Sequence, residues 1–322
     1  MVSSFLTNTA DGLVTVRSGS KLTLTQGLAT NDGAITNSGG YLDNNNRPMT
    51  NSSTGKISGY GIFSTGGLTN DGKILLTVGG STVNGNVTNN SGGNIQVKSS
   101  NVTFTGNVTQ NGFMKATSST VTIMGTLTGT YISDPSDNYF TDWVLQPQHY
   151  AYGELGDRFF ISNDFLNQSQ QNALFETRMA ALAFTTGADA SHTMLLPGAD
   201  QGKSLAGFVN NFAWGSLDVS NQQLTLGDGN TGNSGTAFYV SKLLGLALSG
   251  SQITNIFGDS AYNLYYDARL AENSYLGGLD YNLMGGGHLY AVHHTPTPAA
   301  WLLMGSGLLG LLGAGRRFRP KR

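Results

Sequence analysis

A short sequence pattern returns about every 20 residues through the first 130 residues of this 322-residue chain. Each full copy has an apolar residue, Thr, and Asn or Gln, and a Gly and another apolar residue follow within a few positions. Looser copies open and close the series. The copies begin, in order, at Leu28, Met49, Leu68, Val87, Val108 and Leu127. Such a steady period is typical of folds in which each repeat stacks on the next.

The repeat predicts an all-β fold, a single-stranded parallel β-helix (a β-solenoid) with about 20 residues per coil. In this architecture, equivalent strands of neighbouring coils lie about 4.8 Å apart. Alternation within a segment, as in Val102-Thr103-Phe104, places apolar side chains inside the coil and Thr outside. The alternative is an antiparallel sandwich of hairpins, because Asn-Gly and Asp-Gly are hairpin turns. A sandwich, however, provides no reason for the even spacing.

The Gly and Asn residues of the repeat lead to two further expectations. Both residue types tolerate a positive φ, so we expect them at the corners between strands. Asn51, Asn70 and Asn89 occupy equivalent positions in successive repeats. We therefore expect their side-chain amides to form a ladder along the solenoid axis.

The chain divides into three parts by its pattern. Residues 1–133 carry the regular solenoid repeats, whereas residues 134–291 keep a β-like composition without the strict repeat. This second part is either an irregular continuation of the solenoid or a separate β domain. Good helix formers from Gln168 to Ala183 indicate a short helix within it. Residues 292–322 change abruptly in character and form the third part.

Composition and charge exclude several classes of function. The formal net charge is −2, so no basic surplus is present to hold nucleic acid. The chain contains no cysteine, which excludes disulfides, thiolate catalysis and zinc sites with sulfur ligands. A polysaccharide-cleaving β-helix enzyme needs acids grouped on neighbouring coils, whereas Asp32, Asp43 and Asp71 are scattered over the regular coils. We therefore expect no catalytic, cofactor-binding or metal site and no enzymatic activity.

The third part begins with a short proline motif made of Pro296, Thr297 and Pro298. A 17-residue stretch without charge follows at 299–315, near the lower limit for a helix that spans a bilayer. We expect a C-terminal transmembrane helix that includes Ala299, Trp301, Leu302, Leu303, Gly305, Ser306, Gly307, Leu308, Leu309, Gly310, Leu311, Leu312, Ala314 and Gly315. The chain ends in a basic tail, which should stay on the cytoplasmic side. Its charged residues are Arg316, Arg317, Arg319, Lys321 and Arg322.

This order of proline motif, apolar helix and arginine cluster resembles the PEP-CTERM sorting signal of Gram-negative bacteria. The segment from Trp301 through Leu312 closely matches the apolar pattern of that family, while Thr297 stands where the family usually has Glu. The resemblance implies export and recognition by a membrane-embedded exosortase in the inner membrane. It also implies cleavage near the proline motif and release to the cell surface or exopolysaccharide matrix. The alternatives for the tail are an ordinary membrane anchor and a buried apolar helix.

The N-terminus does not fit such an export pathway by itself. Residues 1–7 have neither a basic start nor an apolar core and do not resemble a signal peptide. We therefore expect the start of the gene to be misplaced or its 5′ end to be missing, together with the first coils and their cap.

The function expected from the sequence is that of a secreted structural or adhesive protein at the cell surface or in the extracellular matrix. Its expected partners are the exosortase and inner membrane during sorting, and polysaccharide or other surface proteins afterwards, but no nucleic acid. The alternatives are a β-helix lyase or hydrolase that acts on polysaccharide, and an autotransporter-like adhesin fragment.

Overall fold

A computed structural model describes residues 1–3, 6–229 and 236–293, and Met1–Val292 form one compact unit. The unit is an all-β solenoid of about 13 turns with about 21 residues per turn, so the predicted fold class is confirmed. Within the described residues, no helix has the length and apolar character needed to cross a membrane. The predicted transmembrane segment, 299–315, lies outside the described residues.

The described residues contain thirty strands and two short 3₁₀ helices, η1 (Leu205–Phe208) and η2 (Ala271–Leu276). The strands, numbered in chain order, are β1 (Val2–Ser3), β2 (Leu13–Arg17), β3 (Lys21–Leu24), β4 (Thr30–Asn31), β5 (Ala34–Asp43), β6 (Pro48–Asn51), β7 (Lys56–Ser64), β8 (Gly67–Asn70), β9 (Lys73–Asn84), β10 (Val87–Asn89), β11 (Asn94–Phe104), β12 (Val108–Gln110), β13 (Phe113–Thr117), β14 (Thr120–Gly129), β15 (Tyr131–Asp134), β16 (Asp137–Leu145), β17 (Ala151–Tyr152), β18 (Arg158–Ile161), β19 (Phe165–Asn167), β20 (Thr177–Phe184), β21 (Ser191–Leu196), β22 (Gly198–Ala199), β23 (Trp214–Asp218), β24 (Gln223–Asp228), β25 (Thr236–Leu244), β26 (Leu248–Ser249), β27 (Gln252–Phe257), β28 (Tyr262–Asp267), β29 (Tyr281–Met284) and β30 (His288–Val292).

Each regular coil contains three strand runs, and each run pairs in parallel with its equivalents on the coils before and after. In β11, the first half pairs with β9 and β13 and the second half with β9 and β14, while β12 pairs with β10 and β14. The runs therefore stack into three parallel sheets. The first sheet includes 13–17, 34–38, 56–60, 73–77, 94–98, 113–117 and 131–134. The second includes 21–24, 41–43, 61–64, 81–84, 100–104, 120–123, 137–140 and 158–161, and the third includes 30–31, 48–51, 67–70, 87–89, 108–110, 127–129 and 142–145.

The core lies along the solenoid axis and is built by strict alternation. In β11, Ile95, Val97 and Val102 are buried, while Gln96 and Thr103 beside them face outward, as the period of two requires within each strand run. The regular coils fill the core mainly with aliphatic residues, whereas the coils after Leu127 add many aromatic ones. The rings of Trp143 and Phe159 stack with centroids 5.3 Å apart. Burial of these side chains is the main source of stability for the fold.

The predicted asparagine ladder is present and is longer than expected. In each rung, the Nδ2 of one Asn donates to the Oδ1 of the Asn one coil later. Asn51 donates to Asn70 over 2.7 Å and Asn70 to Asn89 over 2.6 Å. The ladder begins with Asn8 and Asn31 and ends where Asn89 donates to the Oε1 of Gln110. All these amides are buried, so each rung satisfies polar groups that would otherwise be costly inside the core.

The expectation of positive φ at the repeat Gly and Asn residues is wrong for those that define the pattern. Asn51, Asn70 and Asn89 face the core at the ends of third-sheet strands, and none has a positive φ. The repeat glycines Gly72 and Gly93 also lie outside the left-handed region. They are needed because a Cβ on Gly93 would lie 2.2 Å from Asn89 Oδ1 and 2.3 Å from the Asn70 carbonyl oxygen. Glycine is therefore needed at this repeat position because a side chain would collide with the ladder, and not because the backbone has a positive φ.

Parallel pairing continues beyond Asp134 through β16, β18, β20, β23, β25, β28 and β30.

The helix predicted from Gln168 to Ala183 is wrong, because β20 (Thr177–Phe184) occupies the second half of that segment. Ala180, Leu182 and Phe184 are buried between the neighbouring coils. Strand pairing on both sides and this burial outweigh the weak helical preference of the segment.

The corner between the first and second sheets is turned by single residues in the left-handed conformation. Val78, Ser99 and Ser118 have φ of 56°, 48° and 48° and follow one another on successive coils. This conformation costs an L-residue about 1–2 kcal/mol, and a β-branched residue such as Val78 is a clear outlier there.

Replacing Val78 by Asn is expected to stabilise the protein by about 1 kcal/mol, because Asn tolerates the left-handed conformation. The Val78 side chain is 74% exposed, so little packing is lost. Denaturant unfolding of Val78→Asn measures the gain, and Val78→Ile serves as the β-branched control with no gain. An Asn variant no more stable than the wild-type protein would contradict the assignment of strain to this corner.

Candidate functional site

A groove runs along the corner between the first and second sheets. Its first segment has a volume of about 550 Å³. Small, polar or glycine residues supply nearly all of its lining, which consists of Gly79, Gly80, Ser99, Ser100, Asn101, Ser118, Ser119, Thr120, Pro135, Ser136, Asp137 and Gly156. These residues recur at the same corner of successive coils, so the groove lies parallel to the solenoid axis.

Serine hydroxyls form a second ladder beneath this groove. The Ser100 backbone N–H donates to Ser119 Oγ over 3.3 Å, and the Ser119 N–H donates to Ser136 Oγ over 3.0 Å. The Ser136 N–H in turn donates to Asp157 Oδ1 over 2.8 Å. Each coil thus satisfies a backbone donor that the corner of the preceding coil leaves unpaired. The ladder keeps successive corners aligned and gives the groove a continuous floor.

Asp157 ends the serine ladder and is almost completely buried. Burial raises the pKa of its carboxyl group above the usual value, although hydrogen bonds from Ser133 and from the backbone N–H groups of Glu154 and Ser136 act in the opposite direction. Oδ1 accepts from Ser133 and Ser136, and Oδ2 accepts from the Glu154 N–H over 2.8 Å. Since both oxygens are occupied by protein donors, the carboxyl group serves to hold the corner together.

The groove continues past Gly156 into a second segment of about 630 Å³. This segment is lined by Leu155, Gly156, Asp157, Arg158, Arg178, Met179, Ala181, Gly215, Ser216, Ser241, Lys242, Asp267 and Leu270. Leu155 and Met179 are exposed apolar residues. The three cations of the lining lie in ion pairs, Arg158 with Asp137, Arg178 with Glu176 and Lys242 with Glu272. The second segment is therefore charged but locally balanced, whereas the first is dominated by hydroxyl and amide groups.

The geometry suits an extended polymer that is rich in hydroxyl groups. Asn101, Thr120, Asp137 and Arg158 are register partners on successive coils, so each coil presents one polar side chain at intervals of about 4.8 Å along the groove. A pyranose ring is about as long as this spacing. A linear sugar chain laid along the axis would therefore meet donors and acceptors at a regular interval.

The acids named in the sequence analysis lie away from the groove lining. Asp71 Oδ1 accepts from Asn90 Nδ2 over 2.8 Å at a turn, and Asp43 forms an ion pair with Lys21 over 2.9 Å. In the described part of the chain, no three His, Asp or Glu side chains lie close enough to hold a metal ion. The predicted sorting motif at 296–298, the apolar segment at 299–315 and the basic tail at 316–322 lie outside the described residues and stay predictions.

The groove residues were missed by sequence reasoning, although a signal was present. Ser99-Ser100-Asn101 and Ser118-Ser119-Thr120 recur at a spacing of 19 residues. The spacing alone does not show that these short segments share one corner. That placement requires the strand register.

No protein-family model, curated protein or solved structure matches this chain. The groove itself and the resemblance of the C-terminal sequence to a sorting signal are therefore the features that bear on function.

Proposed function

We propose that this chain is an exported structural or adhesive protein of a bacterial surface or extracellular matrix, and that its solenoid holds polysaccharide along the corner groove. The observation that carries the proposal is the first segment of the groove, whose hydroxyl and amide groups recur on successive coils. The C-terminal sequence supports delivery to the cell surface through an exosortase, with the proline motif as the cleavage region.

In this proposal, binding requires no chemical step. Outward-facing Asn101 and Thr120, together with the exposed groove serines Ser99 and Ser118, would exchange hydrogen bonds with water for hydrogen bonds with sugar hydroxyls. Each such exchange contributes only about 0.5–1.5 kcal/mol. Affinity would therefore arise from many coils contacting one chain. A stacked, hydrogen-bonded rod suits this task because its groove is rigid before the polymer arrives.

The groove is tested by replacing Asn101 and Thr120 together with Leu, because these register partners face the groove and support no ladder hydrogen bond. We expect dextran or a soluble β-1,4-glucan to bind the wild-type protein, and the double variant to lose at least tenfold in affinity. The matched control is Thr103→Leu with Thr122→Leu, two positions further along the same strands and outside the groove lining.

Affinity electrophoresis or isothermal titration calorimetry provides the measurement, and thermal unfolding confirms that all variants fold. Equal binding by the groove variant and the control would overturn the groove as the binding site. A wild-type protein that binds neither glucan would overturn the proposal that the groove holds neutral polysaccharide.

A further inference from the structure

The outer surface of the first sheet carries cations on successive coils. Lys56, Lys73, Lys98 and Lys115 come one from each of four consecutive coils, and all lie at outward-facing positions. Lys56 and Lys73 are direct register partners. Arg17 lies further along the same surface, at an outward position of β2. We call these five residues the basic face.

Most cations elsewhere in the solenoid are neutralised by an adjacent acid. Seven of the twelve Lys and Arg residues in the described ranges form ion pairs. Of the five that form none, four belong to the basic face, namely Arg17, Lys56, Lys73 and Lys98. Lys115 is the exception, with Nζ 2.8 Å from Asp134 Oδ2. The uncompensated positive charge of the rod is thus concentrated on one sheet surface.

Like charges placed directly opposite each other on paired strands destabilise a sheet. Lys56 and Lys73 meet this condition, at the spacing of about 4.8 Å between neighbouring strands. The outward side chains beside the lysines include polar groups, such as Ser58, Gln96 and Thr117, together with the apolar Leu75 between Ser58 and Gln96. A bound polyanion would remove the repulsion and also use these hydrogen-bonding groups.

We propose that the basic face binds an acidic polysaccharide with about one carboxylate per sugar ring, laid across successive coils. Lys56 and Lys73 are separated by the rise per coil of about 4.8 Å, which is close to the carboxylate spacing of such a polymer. Lys115 and Lys98 lie two and four residues further along their strands, so the polymer would cross the sheet obliquely to contact them.

Sites for single-stranded nucleic acid use several aromatic rings that stack with successive bases, whereas the outward positions between these lysines carry Phe113 and the partly exposed Tyr60 among polar and aliphatic side chains. The basic face is separate from the corner groove and requires no ligand there.

A second copy of the chain is a less suitable occupant. Residues 134–293 contain fifteen Asp and Glu against five Lys and Arg, so they are acidic overall. Most of those acids are already engaged, however. The ones that accept from a neighbouring cation or from backbone, amide or hydroxyl donors include Asp134, Asp137, Asp142, Asp157, Asp164, Glu176, Asp200, Asp267, Glu272 and Asp280. They offer few free carboxylates to the lysines of a neighbour.

The test uses polygalacturonate as the ligand and the triple variant Lys56→Gln, Lys73→Gln and Lys98→Gln. The matched control replaces three ion-paired cations outside the groove lining, Lys21, Lys203 and Arg269, with Gln and changes the net charge equally. We expect the wild-type protein to bind polygalacturonate at low salt. The triple variant should bind polygalacturonate at least tenfold more weakly than the wild-type protein. The slope of the logarithm of its binding constant against the logarithm of the salt concentration should decrease in magnitude by about two. The affinity of the control should stay within about threefold of the wild-type value.

Three results would overturn the proposal. These are equal losses in the two triple variants, no binding of polygalacturonate by the wild-type protein, and tighter binding of single-stranded DNA than of polygalacturonate at the same salt. Dextran binding measured on the same samples separates this proposal from the groove. A triple variant that loses polygalacturonate but retains dextran supports two independent surfaces.

Discussion

Gly93→Ala is expected to lower the free energy of unfolding by about 3 kcal/mol or more, whereas Gly92→Ala changes it by less than about 0.5 kcal/mol. A Cβ on Gly93 would lie 2.2 Å from Asn89 Oδ1 and 2.3 Å from the Asn70 carbonyl oxygen, distances that no side chain can adopt. The coils would have to separate at that point, and overpacking of a rigid core costs about 1–3 kcal/mol even where the neighbours can move. Here the neighbours are backbone and a ladder amide, which cannot move without breaking hydrogen bonds.

The control is the adjacent residue, so it shares the local sequence and the same turn. A Cβ on Gly92 has its nearest neighbour, the Asp71 carbonyl oxygen, at 3.7 Å, which is an ordinary contact. Equilibrium unfolding in guanidinium chloride, followed by circular dichroism, measures both variants. Equal stabilities for the two would show that the coils are not stacked as closely as the ladder requires.

Asn70→Ala is expected to cost about 2–4 kcal/mol. The change breaks two rungs of the ladder, leaves the Oδ1 of Asn89 without its donor, and leaves the Nδ2 of Asn51 with only its longer bonds to the Gly55 and Lys73 carbonyl oxygens. An unsatisfied buried polar group costs about 1–3 kcal/mol, and Asn89 Oδ1 becomes such a group. The cavity left by the amide adds to this cost.

The matched control for the ladder is Asn90→Ala. Asn90 is only partly buried and donates to Asp71 Oδ1 on the outer surface of the coil, so its loss should cost less than about 1 kcal/mol. The same denaturant titration compares the two variants. A cost for Asn70→Ala no larger than that for Asn90→Ala would mean that the ladder contributes nothing to stability.

The solenoid could be predicted because its repeat is visible in the sequence as a regular spacing of similar residues. Each coil has to return the chain to the same register, so residues such as Leu68 and Val87 recur at a constant interval and meet as strand partners. The ladder followed from the same spacing. The reason for the repeat glycines could not be predicted, since the close approach at Gly93 depends on the distance between coils.

The groove and the strand at Thr177–Phe184 could not be predicted from local sequence, because both depend on contacts between residues far apart in the chain. Ser100, Ser119 and Ser136 become neighbours only through the strand register, and Ser-Ser pairs are common in any chain rich in turns. The segment that ends in β20 contains good helix formers, and burial against adjacent coils decided its conformation. Sequence periodicity therefore revealed the repeated scaffold, but not the corner where the candidate site lies.

The proposal that the solenoid works outside the cell is tested most directly by the mass of the surface product. The chain, placed behind a secretion leader, would be produced in a Gram-negative host with and without an exosortase, and the protein released from the cell surface would be analysed by mass spectrometry. We expect a product that ends near Pro296 and Pro298 and that forms only when the exosortase is present. A product that still carries Arg322, or one whose mass is the same in both hosts, would contradict sorting through this signal.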